Sequence, residues 1–228
     1  MRERKYLILT MMLVGILMVE SSPRRPVLGP VGSDIAISLV AIVVFFVVFQ
    51  GWRERTIAFV AATAAMAANW SHYLSVPTHY ERAQILAYHG LMAAFLGFAV
   101  AVILCNIFAR ERITVDGVLG AVCGYLLAAG AWANVYAVVE FTLPGSFSVG
   151  AAFKEFSDWE GQKALLNYFS VVTLTTMGYG DITPVRSPAT ALAMLEAVFG
   201  QFYIAVVVAQ LVGLRLAQAF GPKDSGSR

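Results

Sequence analysis

Charged residues are scarce in this sequence. Asp, Glu, Lys and Arg make up 13% of its 228 residues, whereas 59% of the residues are hydrophobic. An ordinary soluble domain carries roughly 25% charged residues. So low a charge content excludes an ordinary soluble domain and is typical of a protein that lies in a membrane.

Cysteine and histidine are also rare, with two and three copies respectively. Cys105 and Cys123 fall near the ends of two apolar runs, and we interpret both as small buried hydrophobic residues rather than as a disulfide or a metal pair. His72, His79 and Glu81 could bind a metal or sense pH, but their spacing matches no known ligand pattern. The chain has neither a G-x-S-x-G elbow nor an H-E-x-x-H helix, so we predict that it is not an enzyme.

Long apolar runs dominate what is present. A helix needs about 20 apolar residues to cross the hydrocarbon core of a bilayer. Five runs approach or exceed this length and a sixth is shorter, which predicts an all-α membrane protein with six transmembrane helices at residues 6–19, 34–49, 56–70, 84–108, 117–141 and 190–217. Three positive charges precede the first run, which is also the layout of a signal peptide, so residues 1–21 are interpreted as either a retained helix or a cleaved leader.

The distribution of basic residues predicts the orientation. Lys and Arg favour the cytoplasmic side of short loops. Ten of the sixteen lie on alternate sides of the runs: Arg2, Arg4, Lys5, Arg53, Arg55, Arg110, Arg112, Arg215, Lys223 and Arg228. We therefore expect a multi-pass protein of the plasma (inner) membrane with both termini in the cytoplasm and residues 142–187 outside.

Residues 164–175 form an apolar run that cannot span. Twelve helical residues reach only about 18 Å at ~1.5 Å per residue, so we predict a short helix that enters the membrane and turns back. After it, Gly178 and Gly180 flank Tyr179, and the backbone cannot remain helical. Such backbone is tolerated at membrane depth only where it is buried in protein or lines a watery cavity. Since glycine adopts left-handed dihedrals without penalty, this spacing allows successive carbonyls to point the same way.

This segment resembles a known signature. Thr176-Met177-Gly178-Tyr179-Gly180-Asp181 is similar to the selectivity filter of potassium channels, and the stretches YFSVVTLTTMGYGDITP and LEAVFGQFYIAVVVAQLVG resemble small prokaryotic ion channels of the pore-domain family. The resemblance covers roughly residues 117–217. It implies that the carbonyls of residues 176–179 and the Thr176 hydroxyl replace the water around a K⁺ ion, with Gly180 completing the filter and Tyr179 bracing it. Met177 departs from the family, which usually has valine or isoleucine there.

Residues around the filter receive supporting roles. Asp181, at the outer mouth, concentrates cations, bonds to Tyr168 at the top of the pore helix, or does both. Tyr168, Thr175 and Glu196 are expected to support the filter. For Glu196 we favour a hydrogen-bonding role behind the filter, in protonated or ionised form, over direct electrostatics in the pore. Glu140 is expected to anchor the outer loop.

The last helix is expected to line the pore. Gly200 is either a gating hinge or a site of close helix packing, because glycine inside a helix costs ~1 kcal/mol relative to alanine. Gln201, Ile204 and Val208 share one face and are expected to line the inner cavity.

Two further absences limit regulation. Residues 84–108 contain no Lys or Arg, so strong voltage gating is not expected. The tail at residues 218–228 is too short to fold as a soluble regulatory domain. We divide the chain into four N-terminal helices at residues 1–112, a pore domain at residues 113–217, and this tail.

The expected function is a potassium-selective, largely voltage-insensitive channel, with a potassium transporter or a channel-like accessory subunit as the alternative. Such filters are built from four loops around one axis, and this chain supplies one, so a homotetramer in a lipid bilayer is implied. K⁺ is the permeant ion. No cofactor and no nucleic-acid partner are expected.

Overall fold

The computed structural model describes residues 5–20, 29–74, 81–109, 114–153 and 159–220. These residues are mostly helical, as predicted. The helices are α1 (Lys5–Glu20), α2 (Gly29–Val48), α3 (Trp52–Leu74), α4 (Glu81–Phe108), α5 (Val115–Thr142), α6 (Trp159–Leu174) and α7 (Ser187–Phe220). Each of the six apolar runs lies on one of these helices. In lipid, a single segment can satisfy its own backbone hydrogen bonds only as a helix.

Four of the described helices are long and apolar enough to cross a membrane. They contain the stretches Val31–Val48, Arg82–Phe108, Val115–Thr142 and Ser187–Leu216. The apolar part of α1 is shorter, at Tyr6–Ile16. Helix α3 has sufficient length, but its first turn carries Arg53, Glu54 and Arg55 and its interior is rich in alanine. Membrane spans at residues 6–19 and 56–70 therefore stay predictions.

A two-stranded sheet departs from the expected all-α fold. Strand β1 (Phe147–Val149) pairs antiparallel with β2 (Ile182–Pro184), so that Ser148 lies opposite Thr183. A short 3-10 turn, Ala151–Phe153, follows β1. Strands of three residues are too short to produce a readable alternation of polar and apolar positions. The sheet connects the loop before α6 to the segment that follows the proposed filter. Both ends of the α6 and filter region are thereby joined by backbone hydrogen bonds.

Helix α6 begins earlier than the apolar run suggested. It starts at Trp159 rather than at residue 164 and has 16 residues, which corresponds to about 24 Å at ~1.5 Å per residue. Its first turn is polar, because it carries Glu160, Gln162 and Lys163, and a search for apolar runs therefore misses it. The helix is still shorter than the roughly 30 Å hydrocarbon core of a bilayer.

Two clusters of buried side chains organise the chain. The larger one lies among α1 to α5, reaches the end of α6 and the middle of α7, and includes Val44, Phe95 and Leu127. The smaller one, around Tyr136 and Phe169, joins α5, α6, the sheet and the start of α7. α6 is thereby packed against α5 on one side and α7 on the other, and its carboxyl end is fixed.

The two cysteines differ in burial. Cys123 is buried, as predicted, whereas Cys105 is exposed, so the prediction that both are buried is wrong for Cys105. Cys105 lies near the end of α4, on a side that no other described helix covers. Both thiols are free.

Candidate functional site

The backbone after α6 alternates in handedness. Thr176, Gly178 and Gly180 have φ of 58°, 55° and 76°, and Met177 and Tyr179 between them do not have positive φ. Sequence reasoning anticipated the two glycines but not Thr176, the only described non-glycine residue with positive φ. A residue with a side chain costs ~1–2 kcal/mol in the left-handed region of backbone dihedrals. Such strain persists only where the surrounding structure imposes it.

Hydrogen bonds from α6 impose this conformation. The N–H of Thr176 donates to the carbonyl of Thr173 at 2.9 Å, and the N–H of Met177 donates to that of Val172 at 3.0 Å. The Thr175 hydroxyl donates to the carbonyl of Val171 at 2.7 Å. Thr175, the residue directly after α6, therefore bonds back onto the last turn of that helix, and its role in supporting the following segment stays a prediction.

Gln201 of α7 contacts the same segment at its first residue, Thr176. Its side-chain amide donates to the Thr176 hydroxyl at 3.0 Å. Sequence reasoning placed Gln201 on a cavity face with Ile204 and Val208, but did not pair it with Thr176. All three side chains are exposed on the single chain. One face of α7, from the residue that contacts Thr176 toward the end of the helix, is therefore not packed against other parts of the same chain.

The outer end of the segment is held by two aromatic rings and a carboxylate. The Tyr179 ring stacks on the Tyr168 ring of α6, with centroids 6.4 Å apart and planes 10° apart. The Tyr168 hydroxyl donates to Asp181 Oδ2 at 2.6 Å. Of the two roles considered for Asp181, the bond to Tyr168 is present, and a role in concentrating cations stays a prediction.

Glu140 holds the loop beside this outer end. Its carboxylate, near the end of α5, accepts the backbone N–H groups of Gly145 at 2.7 Å, Ser146 at 2.9 Å and Phe147 at 3.3 Å. Ser146 in turn accepts the N–H of Val185 at 2.8 Å, just after β2. The loop-anchoring geometry expected for Glu140 is therefore present, and it connects α5 to both strands.

Replacing Glu140 with glutamine is expected to destabilise the folded protein. Glutamine retains one acceptor oxygen and no charge, and hydrogen bonds to charged groups contribute about 1.5–3 kcal/mol each. We expect a loss of about 1–3 kcal/mol in the free energy of unfolding, measured by denaturation of the detergent-solubilised protein. Glu54→Gln is the matched control, since Glu54 accepts one N–H, that of Gly51, at 3.4 Å. Equal stability of the two variants would contradict the anchoring role.

Glu196 lies fully buried behind the segment. Its Oε1 is 2.5 Å from the Ser170 hydroxyl of α6, and its Oε2 accepts the Tyr136 hydroxyl of α5 at 2.5 Å. The Ser170 hydroxyl also lies 2.8 Å from the carbonyl of Ala129 in α5. The sequence placed Glu196 toward the pore helix and its threonines; the structure places a serine there and adds Tyr136. No sequence spacing links Tyr136 to Glu196, because the two are 60 residues apart.

Gly200 provides room for the end of α6. A Cβ built on Gly200 would lie 2.1 Å from the carbonyl oxygen of Leu174, the last residue of α6. The same oxygen accepts the Tyr125 hydroxyl at 2.8 Å. Of the two interpretations of Gly200, the geometry shows close packing, and a hinge function stays a prediction.

The three residues of the possible metal or pH site lie partly or wholly outside the described part of the chain. His79 lies outside the described residues, and the side chains of His72 and Glu81 are likewise outside them. In the parts of the chain that the structure describes, no group of three His, Cys, Asp or Glu residues could hold a metal ion.

Comparison with known proteins points to one family. Residues 125–214 match the family model described as "Ion channel". The matched segment runs from α5 through α6 and the alternating backbone into α7, and it supports an ion-channel pore domain in a membrane protein. Helices α1–α4 lie outside it. No curated protein and no solved structure matches the chain.

Proposed function

We propose that this chain is the subunit of a potassium-selective channel that conducts ions passively and without strong voltage dependence. The observation that carries the proposal is the alternation of positive φ at Thr176, Gly178 and Gly180. It follows the short helix α6 and lies within the segment that matches the ion-channel family. Alternating handedness is what a row of carbonyls aligned toward one axis requires.

Ion binding would use the backbone of residues 176–179. Their carbonyl oxygens and the Thr176 hydroxyl would replace the hydration shell of K⁺. Helix α6 ends immediately before this row, so its partial negative pole of about half a charge would favour a cation below the filter. Gln201, bonded to Thr176, would meet the ion as it leaves the cavity.

A homotetramer would complete the site. One chain supplies one filter segment, whereas the pore needs four. In the single chain only 17% of Ser187–Leu216 is buried, against 44% of Val115–Thr142. α7 therefore has a large surface for contact with neighbouring subunits, the pore and lipid. Phe202, which is 65% exposed and apolar, fits such an interface.

The N-terminal helices would surround the pore domain and separate it from lipid. Residues 84–108 of α4 carry no Lys or Arg. Moving one charge through 100 mV is worth about 2.3 kcal/mol, and steep gating requires several such charges. The current should therefore depend only weakly on voltage. We place the protein in the plasma membrane with both termini in the cytoplasm, from the distribution of basic residues.

Reconstitution into liposomes tests the proposal. We expect the reversal potential in mixed K⁺ and Na⁺ to follow the K⁺ gradient and the conductance to change little with voltage. A reversal potential that ignores the K⁺ gradient would overturn potassium selectivity. A steep conductance–voltage curve would overturn the voltage claim. Saturable uptake coupled to a second ion would instead indicate a transporter.

A further inference from the structure

Three oxygen-to-oxygen contacts meet around Glu196. They join Glu196 Oε2 to the Tyr136 hydroxyl, Glu196 Oε1 to the Ser170 hydroxyl, and the Ser170 hydroxyl to the Ala129 carbonyl, at 2.5, 2.5 and 2.8 Å. Two oxygen atoms this close need a hydrogen between them. The cluster therefore requires three protons.

The supply of protons depends on the state of Glu196. A phenol and a serine hydroxyl each donate one proton, a carbonyl donates none, and an ionised carboxylate only accepts. With Glu196 ionised, Tyr136 and Ser170 supply two protons for three contacts. With Glu196 protonated, the carboxylic acid donates to Ser170, and Ser170 is free to donate to Ala129. The neutral acid satisfies all three contacts.

The surroundings of Glu196 favour the same state. Glu196 is fully buried. Among the described residues that face it, the titratable groups are the phenols of Tyr136 and Tyr125 on α5; α6 contributes Ser170, and no cationic side chain interacts with it. An ionised carboxylate without a cationic partner is costly in such a place.

We propose that Glu196 is held as a neutral carboxylic acid whose proton joins α7 to the pore helix α6, and that loss of this proton at alkaline pH reduces conduction. Ser170 lies one turn before Leu174, the last residue of α6, and the filter follows directly. Glu196 is thus a positioning residue that acts through the pore helix. The effect on conduction rests on the proposed channel function, whereas the protonation state does not.

Infrared spectroscopy tests the protonation without any ion flux. Full-length protein in ester-free detergent at neutral pH should show the carbonyl stretch of a protonated carboxylic acid. Glu196→Gln should remove this band, because its amide donates to Ser170 and accepts from Tyr136 without a carboxyl proton. Glu54→Gln, at a remote acid, should leave the band in place. Identical spectra for wild type and Glu196→Gln would overturn the proposed protonation.

Liposome flux tests the regulatory part. We expect K⁺ flux of the wild type to fall severalfold from neutral to alkaline pH, and the flux of Glu196→Gln to stay constant over the same range. If the carboxylic-acid band is present but the K⁺ flux of wild type and of Glu196→Gln depends on pH in the same way, the proposed regulation is overturned. If no protein conducts K⁺, the proposed channel function fails, while the infrared result still decides the state of Glu196.

Ser170→Ala provides a second test that does not depend on Glu196→Gln folding. Removal of the hydroxyl deprives the acid proton of its acceptor. The carboxylic-acid band should therefore move to higher frequency, as expected for a weaker hydrogen bond. An unshifted band would overturn the proposed link between Glu196 and the pore helix.

Discussion

Gly178→Ala is expected to abolish potassium-selective flux while the chain remains folded. Gly178 has φ of 55°, and a Cβ built on it would meet no atom within 4 Å in the single chain. The expected damage is therefore backbone strain of ~1–2 kcal/mol rather than a clash. Rotation out of the left-handed region relieves this strain and turns a neighbouring carbonyl away from the axis. Since ~1.4 kcal/mol is a tenfold change in an equilibrium, strain in each of the four subunits of the proposed tetramer would lower the conducting population by roughly a thousandfold or more.

The control for this variant is Gly97→Ala. Gly97 lies in α4, has no neighbour within 4 Å of a built Cβ, and does not have positive φ. We expect its flux and selectivity to match those of the wild type in the same liposome assay. In size-exclusion chromatography, both variants should elute at the same volume as the wild type. Wild-type selectivity of Gly178→Ala would contradict the carbonyl-row geometry of residues 176–180.

Gly200→Ala is expected to lower stability, even though alanine is the better helix former. Alanine gains about 1 kcal/mol in the interior of a helix. Here its Cβ would lie 2.1 Å from the carbonyl oxygen of Leu174, so α6 and α7 must separate. Overpacking typically costs 1–3 kcal/mol, and displacement of Leu174 also weakens its bond from Tyr125. We expect a net loss of about 1–2 kcal/mol in the free energy of unfolding, together with a strong decrease in flux.

Gly213→Ala, on the same helix, is the matched control. A Cβ built on Gly213 meets nothing within 4 Å, so the variant should be as stable as the wild type or up to about 1 kcal/mol more stable. Denaturation in detergent gives the stabilities, and liposome flux gives the activity. If Gly200→Ala is also stabilised and only its gating changes, Gly200 is a hinge and the packing account is wrong.

Local sequence signals predicted much of the candidate site. The short helix, the break after it and the positive φ of Gly178 and Gly180 all follow from residue types within one continuous stretch. The bond between Tyr168 and Asp181 was one of two stated alternatives, and it joins the top of α6 to the segment that follows it. These features were readable because helix length and glycine geometry depend on neighbouring residues.

Contacts between distant segments were harder to predict. The sequence indicated that Glu196 faces backward, but it did not identify Ser170 or Tyr136 as its partners. It allowed both a hinge and a packing role for Gly200, and only the approach of Leu174 showed the close packing. The three-residue strands and the exposure of Cys105 were missed, because each depends on which helices and loops become neighbours.

By itself, the sequence determined that the protein belongs in a membrane, where its main helices lie, and where the backbone must leave the helical conformation. Those properties arise from apolar length and from the conformational freedom of glycine, which a chain carries before it folds. Only the tertiary structure decided which distant groups meet around residues 176–181: the Gln201 amide at the Thr176 hydroxyl, and the Tyr136 and Ser170 hydroxyls at Glu196. These depend on distances between α5, α6 and α7, and hydrogen-bond strength falls steeply with distance.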